Sequence, residues 1–239
     1  MRGTIGFRPG CCAPAKAVFY EHADSMSKPI DFYFDFISPY AYLGSTQIEA
    51  IAARHGRTVN WRPVLIGVTI LKIMGMKPLP ETPMKGDYLR HDAVRMAKVF
   101  GVPFSYHGLK GHNSVAACRA FLWLKEQDTA LAVRFAHRIF KRLWIEGRDI
   151  TQPDAVGEEA AALGIDRTAL LAAIATDAGK QALNIAVDHA IKAGAFGVPY
   201  VIADGEPIWG CDRMWMLEHW LAHGTWEGAG AAVLANAAK

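Results

Sequence analysis

The 239-residue sequence lacks the features of several large protein classes. It has no apolar run near the roughly 18 residues that a membrane-spanning helix needs. Its 26 basic and 23 acidic side chains leave a net charge of +3, too small an excess to indicate nucleic-acid binding. Neither G-x-G-x-x-G after a predicted strand nor G-x-x-x-x-G-K-[ST] occurs, so nucleotide-binding loops lack support. With 51% hydrophobic residues the chain is too apolar for disorder. A globular protein remains, of one large domain or of a smaller domain with an insertion.

Cysteine is also scarce, since only Cys11, Cys12, Cys118 and Cys211 occur. None belongs to a C-x-x-C motif, which excludes a zinc ribbon and a dithiol redox centre of that type. So few cysteines in a chain of this size argue against a disulfide framework. The nine histidines show no H-E-x-x-H or comparable spacing, so we expect no metal site. This composition is typical of the reducing cytosol, and we expect a cytoplasmic location.

The first 27 residues differ from the rest of the chain. They mix Gly, Pro, Cys and charged residues without periodicity, and they show neither the apolar core nor the cleavage site of a signal peptide. Met26 directly precedes a strong strand signal. We therefore expect residues 1–25 to be a dispensable extension before a natural start at Met26, or else a flexible tail.

A strand–helix–strand pattern begins the remaining sequence. Residues 30–37 alternate around a run of phenylalanines and predict a largely buried strand. The dipeptide Ser38-Pro39 then predicts a helix start, because serine caps helices and proline suits the first helical position. This helix is predicted to end near Gly56, followed by a strand over 58–64. So short a unit implies two parallel strands.

A long helical region follows, and the strand signal returns near the end. A strand over 197–203, a turn at Asp204-Gly205 and a strand over 207–209 predict a hairpin. We expect Asp212 to open a last helix that ends near Gly224. The helices predicted between the two strand regions cover 84–100, 112–127, 129–146, 153–163, 167–175 and 177–193.

Three motifs stand in this order: F-I-S-P-Y-A-Y-L-G at 36–44, F-G-V-P at 196–199 and W-G-C-D-R at 209–213. Together they resemble the 2-hydroxychromene-2-carboxylate isomerases and their relatives, the kappa-class glutathione transferases. The resemblance covers about residues 28–225 and implies an α/β thioredoxin-like fold of the DsbA-like group with a large all-helical insertion. It implies a thioredoxin-like domain from 28–75 and 194–225, an insertion over 76–193, and a tail over 226–239.

The resemblance implies glutathione as the cofactor. Ser38 occupies the position where a DsbA-like oxidoreductase carries its nucleophilic cysteine. A hydroxyl cannot perform thiol–disulfide exchange, so the protein is expected to use the thiol of a bound molecule. At a helix N-terminus the Ser38 hydroxyl, the free N–H groups and the helix dipole favour a thiolate. The alternative is that Ser38 is only a helix cap.

The other two motifs are implied to bind the rest of glutathione. In the family the proline at Pro199 is cis, which exposes the backbone of Val198 for strand-like pairing with the cysteinyl portion. Otherwise Pro199 is a simple edge-strand proline. Asp212 and Arg213 are implied to hold the γ-glutamyl group, although Asp212 is also a plausible helix cap. The approach to this group is formed by Trp209, Gly210 and Cys211, where Cys211 is read as a packed thiol.

Two lysines are candidates for substrate binding. Lys85 resembles a family lysine that follows a proline-rich loop and would pair with the glycine carboxylate of glutathione or with an acidic substrate. It also fits a solvated residue at a helix start. Lys72 is a further candidate for a substrate carboxylate, as is Lys77. The kappa transferases place an asparagine where this chain has Met76, which leaves the contacts of this loop open.

The resemblance implies cis–trans isomerisation of 2-hydroxychromene-2-carboxylate to trans-o-hydroxybenzylidenepyruvate, in the catabolism of naphthalene-type aromatic compounds, by a homodimer. Addition of the glutathione thiolate to the conjugated carbon would allow rotation before elimination. Two alternatives are a kappa-like transferase that conjugates glutathione to electrophiles and a non-catalytic thioredoxin-fold binding module. A dithiol oxidoreductase is the least favoured, because Ser38 replaces the sulfur and Tyr40-Ala41 supplies no resolving cysteine.

Overall fold

The computed structural model describes residues 28–108 and 112–230. The expected N-terminal extension and the expected start at Met26 lie outside the described residues, as does the end of the C-terminal tail. No helix in the described parts of the chain is long and apolar enough to cross a membrane.

A mixed four-stranded sheet forms the centre of the fold, in the order β2-β1-β3-β4. β1 runs parallel to β2 and antiparallel to β3, and β3 and β4 form the predicted hairpin. The hairpin turn is tight because Asp204 and Gly205 both adopt positive φ angles, of 54° and 87°. These directions confirm the expected α/β thioredoxin-like arrangement. The strands are β1 (Ile30–Phe34), β2 (Val59–Pro63), β3 (Tyr200–Ala203) and β4 (Glu206–Trp209).

Helices pack around this sheet, and most of them lie between β2 and β3. α3 continues into a π-helical turn, Thr69–Ile73, and 3-10 turns cover Leu79–Glu81 and Cys211–Arg213. The α-helices of the described residues are α1 (Pro39–Ser45), α2 (Ile48–Arg54), α3 (Ile66–Val68), α4 (Lys85–Phe100), α5 (Val115–Gln127), α6 (Thr129–Trp144), α7 (Pro153–Ala161), α8 (Arg167–Ala175), α9 (Asp177–Lys192) and α10 (Met214–His223).

The six predicted helices between the strand regions are confirmed, with ends shifted by at most three residues. The prediction of one helix from Pro39 to Gly56 is wrong, because the chain breaks between α1 and α2. At the break the hydroxyls of Ser45 and Thr46 donate to the carbonyls of Tyr42 and Leu43, at 2.6 and 2.8 Å. Such side-chain bonds to the preceding turn bend helices. The turns at 69–73 and 79–81 were not predicted.

An aromatic cluster joins the sheet to the helical region. The ring centroid of Phe34, on β1, lies 5.1–5.9 Å from those of Phe36, Trp61, Phe121 and Phe140. Phe121 lies on α5 and Phe140 on α6, and all five side chains are buried. The sheet and the inserted helices therefore share one hydrophobic core. The division of the chain into two domains at 76 and 193 stays a prediction.

We expect Phe34→Ala to lower the free energy of unfolding by about 3–5 kcal/mol, because it removes a ring that packs against several other buried rings and leaves a cavity. Urea denaturation measures this loss. Val99→Ala is the matched control, since the Val99 side chain is exposed, and its effect should stay within about 0.5 kcal/mol. Equal effects of the two substitutions would contradict the role of Phe34 as the centre of the core.

Candidate active site

The turn between β1 and α1 presents Ser38. Its backbone is extended, with φ −96° and ψ 118°, and its hydroxyl accepts a hydrogen bond from the Ala41 amide at 3.2 Å. The sequence therefore folds as predicted at this point, with serine capping α1 and Pro39 at its first position. The Ser38 residue is only 9% exposed. The Ser38 hydroxyl also donates a second hydrogen bond, which helix capping does not explain.

That second bond connects two of the three motifs. The Ser38 hydroxyl donates to the carbonyl oxygen of Val198 at 3.2 Å, and the Val198–Pro199 peptide bond is cis, as the family resemblance implied. A glycine makes the close approach possible, because a Cβ on Gly44 would lie 3.0 Å from Cγ of Pro199. The first motif thus supplies both the hydroxyl and the small residue that lets α1 reach the cis peptide.

The third motif is joined to the second through the backbone. The Gly210 amide donates to the Pro199 carbonyl at 3.0 Å, and Gly210 has a φ of 109°, which favours glycine. The Arg213 guanidinium donates to the carbonyl of Trp209 at 2.8 Å and lies over the Trp209 ring. Motif residues at 38, 198–199 and 209–213 therefore meet in one region.

The expectation that Asp212 opens the last helix is wrong in detail. Asp212 lies inside the 3-10 turn Cys211–Arg213, its side chain makes no capping bond, and α10 begins at Met214. Instead the carboxylate lies 3.7 Å from the Arg213 guanidinium with its side chain 55% exposed. A carboxylate that is not used as a cap is free to receive a ligand ammonium group.

Aromatic residues line the outer side of this region. The rings of Phe196 and Trp209 lie 4.8 Å apart, both are partly exposed, and Phe196 also contacts Tyr200. Gly197 is required beside them, because a Cβ there would lie 2.6 Å from the indole nitrogen of Trp209. The F-G-V-P motif therefore combines an aromatic contact, a close approach and a cis peptide.

The two cysteines in the described residues are buried and remain thiols. Burial, reinforced by the neighbouring Asp212 carboxylate, raises the pKa of Cys211 to about 12. Burial also raises the pKa of Cys118, on α5. Since the thiolate is the reactive form, neither cysteine is suited to act as a nucleophile at neutral pH. Cys211 behaves as the packed thiol that was expected.

Few free amides surround Ser38. Pro39 has no N–H, while the Ala41 and Tyr42 amides are bonded to the hydroxyl and the carbonyl of Ser38. Among the described residues, the amides of Tyr40 and Val198 have no hydrogen-bond partner. The helix α1 has only seven residues, so its dipole contributes less than the long helix predicted here.

Sequence reasoning missed Asp92, which touches the S-P-Y motif. Tyr40 donates its phenolic hydrogen to Asp92 at 2.8 Å, and Tyr88 donates to the same carboxylate at 3.2 Å. Burial and this bond raise the pKa of Tyr40. The Tyr40 phenol is thus committed to Asp92 and links α1 to α4. The spacing of Tyr88 and Asp92, four residues apart on one helix, was the available signal.

Both predicted lysines lie between β2 and the first turn of α4. Lys72 lies in the π-helical turn and Lys85 is the first residue of α4, and both are exposed. Within residues 28–108 and 112–230 neither amino group forms a hydrogen bond or an ion pair with the motif residues. The described residues also contain no cluster of three or more His, Cys, Asp or Glu suited to a metal ion.

Comparison with known proteins matches this geometry to a family. The model of the DSBA-like thioredoxin domain matches residues 29–222. The 2-hydroxychromene-2-carboxylate isomerase of Sphingobium xenophagum is 31% identical over 201 residues, which cover 82% of this chain and 99% of that protein. Human glutathione S-transferase kappa 1 is 26% identical, with 85% of this chain and 94% of that protein covered. A solved structure of 2-hydroxychromene-2-carboxylate isomerase superposes with a TM-score of 0.75 at 26% identity, covering 85% of this chain and 99% of the other. The chain therefore belongs to the DSBA-like thioredoxin family and, within it, is similar to the 2-hydroxychromene-2-carboxylate isomerases.

Proposed function

We propose that the protein is a glutathione-dependent isomerase that converts 2-hydroxychromene-2-carboxylate to trans-o-hydroxybenzylidenepyruvate. The bond between the Ser38 hydroxyl and the carbonyl of the cis Val198–Pro199 unit carries the proposal. It places a single hydroxyl donor beside an extended backbone segment, in a family where a thiol would otherwise stand. Relatives named as this isomerase support the choice of reaction.

The residues of this region fit glutathione. The Val198 amide, which has no hydrogen-bond partner in the described parts of the chain, is available for strand-like pairing with a peptide. The exposed Asp212 carboxylate suits the ammonium of the γ-glutamyl group. Glycine at 210 lets this carboxylate lie against the turn, because a Cβ there would collide with Oδ1 of Asp212. When bound, glutathione supplies the sulfur nucleophile that this chain lacks at Ser38.

The Ser38 hydroxyl can serve a sulfur anion without losing its role in the fold. Its oxygen accepts from the Ala41 amide, which fixes the side chain, while its one hydrogen points to the Val198 carbonyl. If that hydrogen turns toward a bound thiolate, the neutral carbonyl acceptor is replaced by a charged sulfur. Hydrogen bonds to charged acceptors are stronger than those to neutral acceptors. The Tyr40 amide provides a second donor at the same turn. Such fixed donors stabilise charge with little reorganisation.

The finer features of the proposal concern the substrate and its setting. We assign the substrate carboxylate to Lys72 and Lys85, which are exposed on the segment between β2 and the first turn of α4. The aromatic side of the region, at Phe196 and Trp209, suits a substrate derived from a naphthalene-type compound. We also propose a homodimer that works in the cytoplasm.

A kappa-like glutathione transferase is the second candidate. The similarity to human glutathione S-transferase kappa 1 favours it, and the same Ser38 and Asp212 would serve. The two functions differ in outcome, because the isomerase releases glutathione and the transferase keeps it in an adduct. Incubation with the chromene, with and without glutathione, followed by ultraviolet absorbance and mass spectrometry, separates them. Equal turnover without any added thiol would contradict both candidates.

We expect Ser38→Ala to keep the fold and to lower kcat/KM by about 10²–10³-fold, the typical effect of removing one preorganised donor. Steady-state assays at saturating glutathione measure this loss. Ser45→Ala is the matched control, since the Ser45 hydroxyl lies at the other end of α1 and donates to the Tyr42 carbonyl. An unchanged kcat/KM in Ser38→Ala would remove Ser38 from the reaction.

We expect Asp212→Asn to weaken glutathione binding by about 10–100-fold, because one hydrogen bond to a charged group contributes about 1.5–3 kcal/mol. Isothermal titration calorimetry measures the affinity. Asp154→Asn is the matched control. It changes an exposed carboxylate of α7 that is paired with Arg167, and it should leave the affinity unchanged. Equal affinities of Asp212→Asn and the wild type would place the γ-glutamyl group elsewhere.

A further inference from the structure

A buried carboxylate lies directly behind the Ser38 turn and has no part in the proposed function. Asp35 follows the last residue of β1, three positions before Ser38, and is 0% exposed. Its backbone carbonyl also accepts from the Ser38 amide at 3.0 Å. Sequence reasoning missed it, although a charged residue in a strand with apolar residues on both faces was a visible signal.

Three separate segments donate hydrogen bonds to this carboxylate. The Ile37 amide, within the Ser38 turn, donates to Oδ1 at 3.2 Å. The Ile66 amide, at the start of the segment after β2, donates to Oδ2 at 2.8 Å. The Ser114 hydroxyl, just before α5, donates to Oδ1 at 2.5 Å. Asp35 is therefore the point at which the Ser38 turn, the end of β2 and the start of α5 are connected.

No positive charge compensates this carboxylate among the described residues. Asp35 forms no ion pair there, and the titratable group that faces it is the buried thiol of Cys118, from α5. Among the described residues, Ser114 is the one side chain that donates to it, while the Ser38 turn and the segment after β2 contribute backbone amides. Burial raises the pKa of Asp35 to about 6, against the lowering effect of these hydrogen bonds. A buried, unpaired charge costs stability, so its presence beside a site indicates a functional role.

We propose that Asp35 is a positioning residue whose ionised carboxylate holds the Ser38 turn in its binding arrangement through the Ile37 amide, and whose protonation loosens that turn. This inference rests on the proposed function only in its effect on glutathione.

The geometry indicates which bond protonation weakens. Oδ1 accepts from both Ile37 and Ser114, whereas Oδ2 accepts from Ile66. A proton on Oδ1 is accommodated if the Ser114 hydroxyl rotates and becomes the acceptor. Oδ1 is then a hydroxyl oxygen, a weaker acceptor than a carboxylate, so the Ile37 amide loses most of its bond. The Ile66 bond to Oδ2 remains, and the loosening is confined to the Ser38 side.

The effects on binding and on stability have opposite signs. Above pH 6 the carboxylate is ionised, the turn is held and glutathione binds; as the pH falls through about 6 the affinity declines. Because the folded-state pKa lies above the ordinary value of 3.8, this group destabilises the fold above pH 6, and that penalty is removed as the pH falls toward 4. If Asp35 had a structural role alone, glutathione affinity and the stability of the fold would not change in opposite directions with pH.

The experiment compares the wild type with Asp35→Asn over pH 5 to 8. In the ligand-free wild type, we expect amide exchange at Ile37, corrected for its intrinsic pH dependence, to become about five- to tenfold faster as the pH falls through 6, while Ile66 stays protected. The dissociation constant of glutathione should rise over the same range. In Asp35→Asn both dependences should vanish, with affinity fixed at the low-pH value. Asp31→Asn, which changes a partly buried carboxylate of β1 that is paired with Arg62, should behave as the wild type.

A second variant keeps the inference testable if Asp35→Asn fails to fold. Ser114→Ala removes a bond that favours the ionised carboxylate, so the transition in Ile37 exchange should move to higher pH. Constant Ile37 exchange in the wild type from pH 5 to 8, or an unmoved transition in Ser114→Ala, would overturn the positioning role. Absence of glutathione binding to the wild type at every pH would instead refute the proposed function, and the exchange measurement would still decide the role of Asp35.

Discussion

The site depends on one contact, between the Ser38 hydroxyl and the carbonyl of Val198, which are 160 positions apart in the chain. This contact requires an extended serine at the end of a strand, a cis peptide at Pro199 and a residue without a side chain at Gly44. The serine and the glycine belong to the first motif and the cis peptide to the second, and the contact needs all three. The first two motifs are therefore parts of one geometric requirement.

The rest of the fold holds these segments at the correct distance. β1 and β3 are neighbours in the sheet, so the turn after β1 and the loop before β3 lie at the same edge. The inserted helices support that edge, since the indole of Trp144, on α6, donates to the Phe36 carbonyl at 2.8 Å. The insertion thus acts on the site through the backbone of the Ser38 turn, as well as through the core around Phe34.

Two buried ionisable groups, the Cys211 thiol and the Asp35 carboxylate, lie near this edge of the sheet. The thiol of Cys211 is kept neutral by burial, while the Asp35 carboxylate is kept buried without a cation. Among the described residues, the first arrangement leaves the site without a reactive sulfur, which agrees with the proposed use of an external thiol. The second lowers stability to fix a turn, a compromise that is common where function requires a strained or charged group.

The sequence by itself determined the elements that depend on local periodicity and capping. The six inserted helices, the hairpin at 200–209 and the Ser38 cap were predicted because apolar spacing, turn residues and helix caps act within a few positions. The family resemblance supplied the cis proline. Tertiary structure alone decided the contact between Ser38 and Val198, the bond from Tyr40 to Asp92 and the burial of Asp35. Those features depend on hydrogen bonds between distant segments and on burial from water, and neither is encoded in the spacing of residues along the chain.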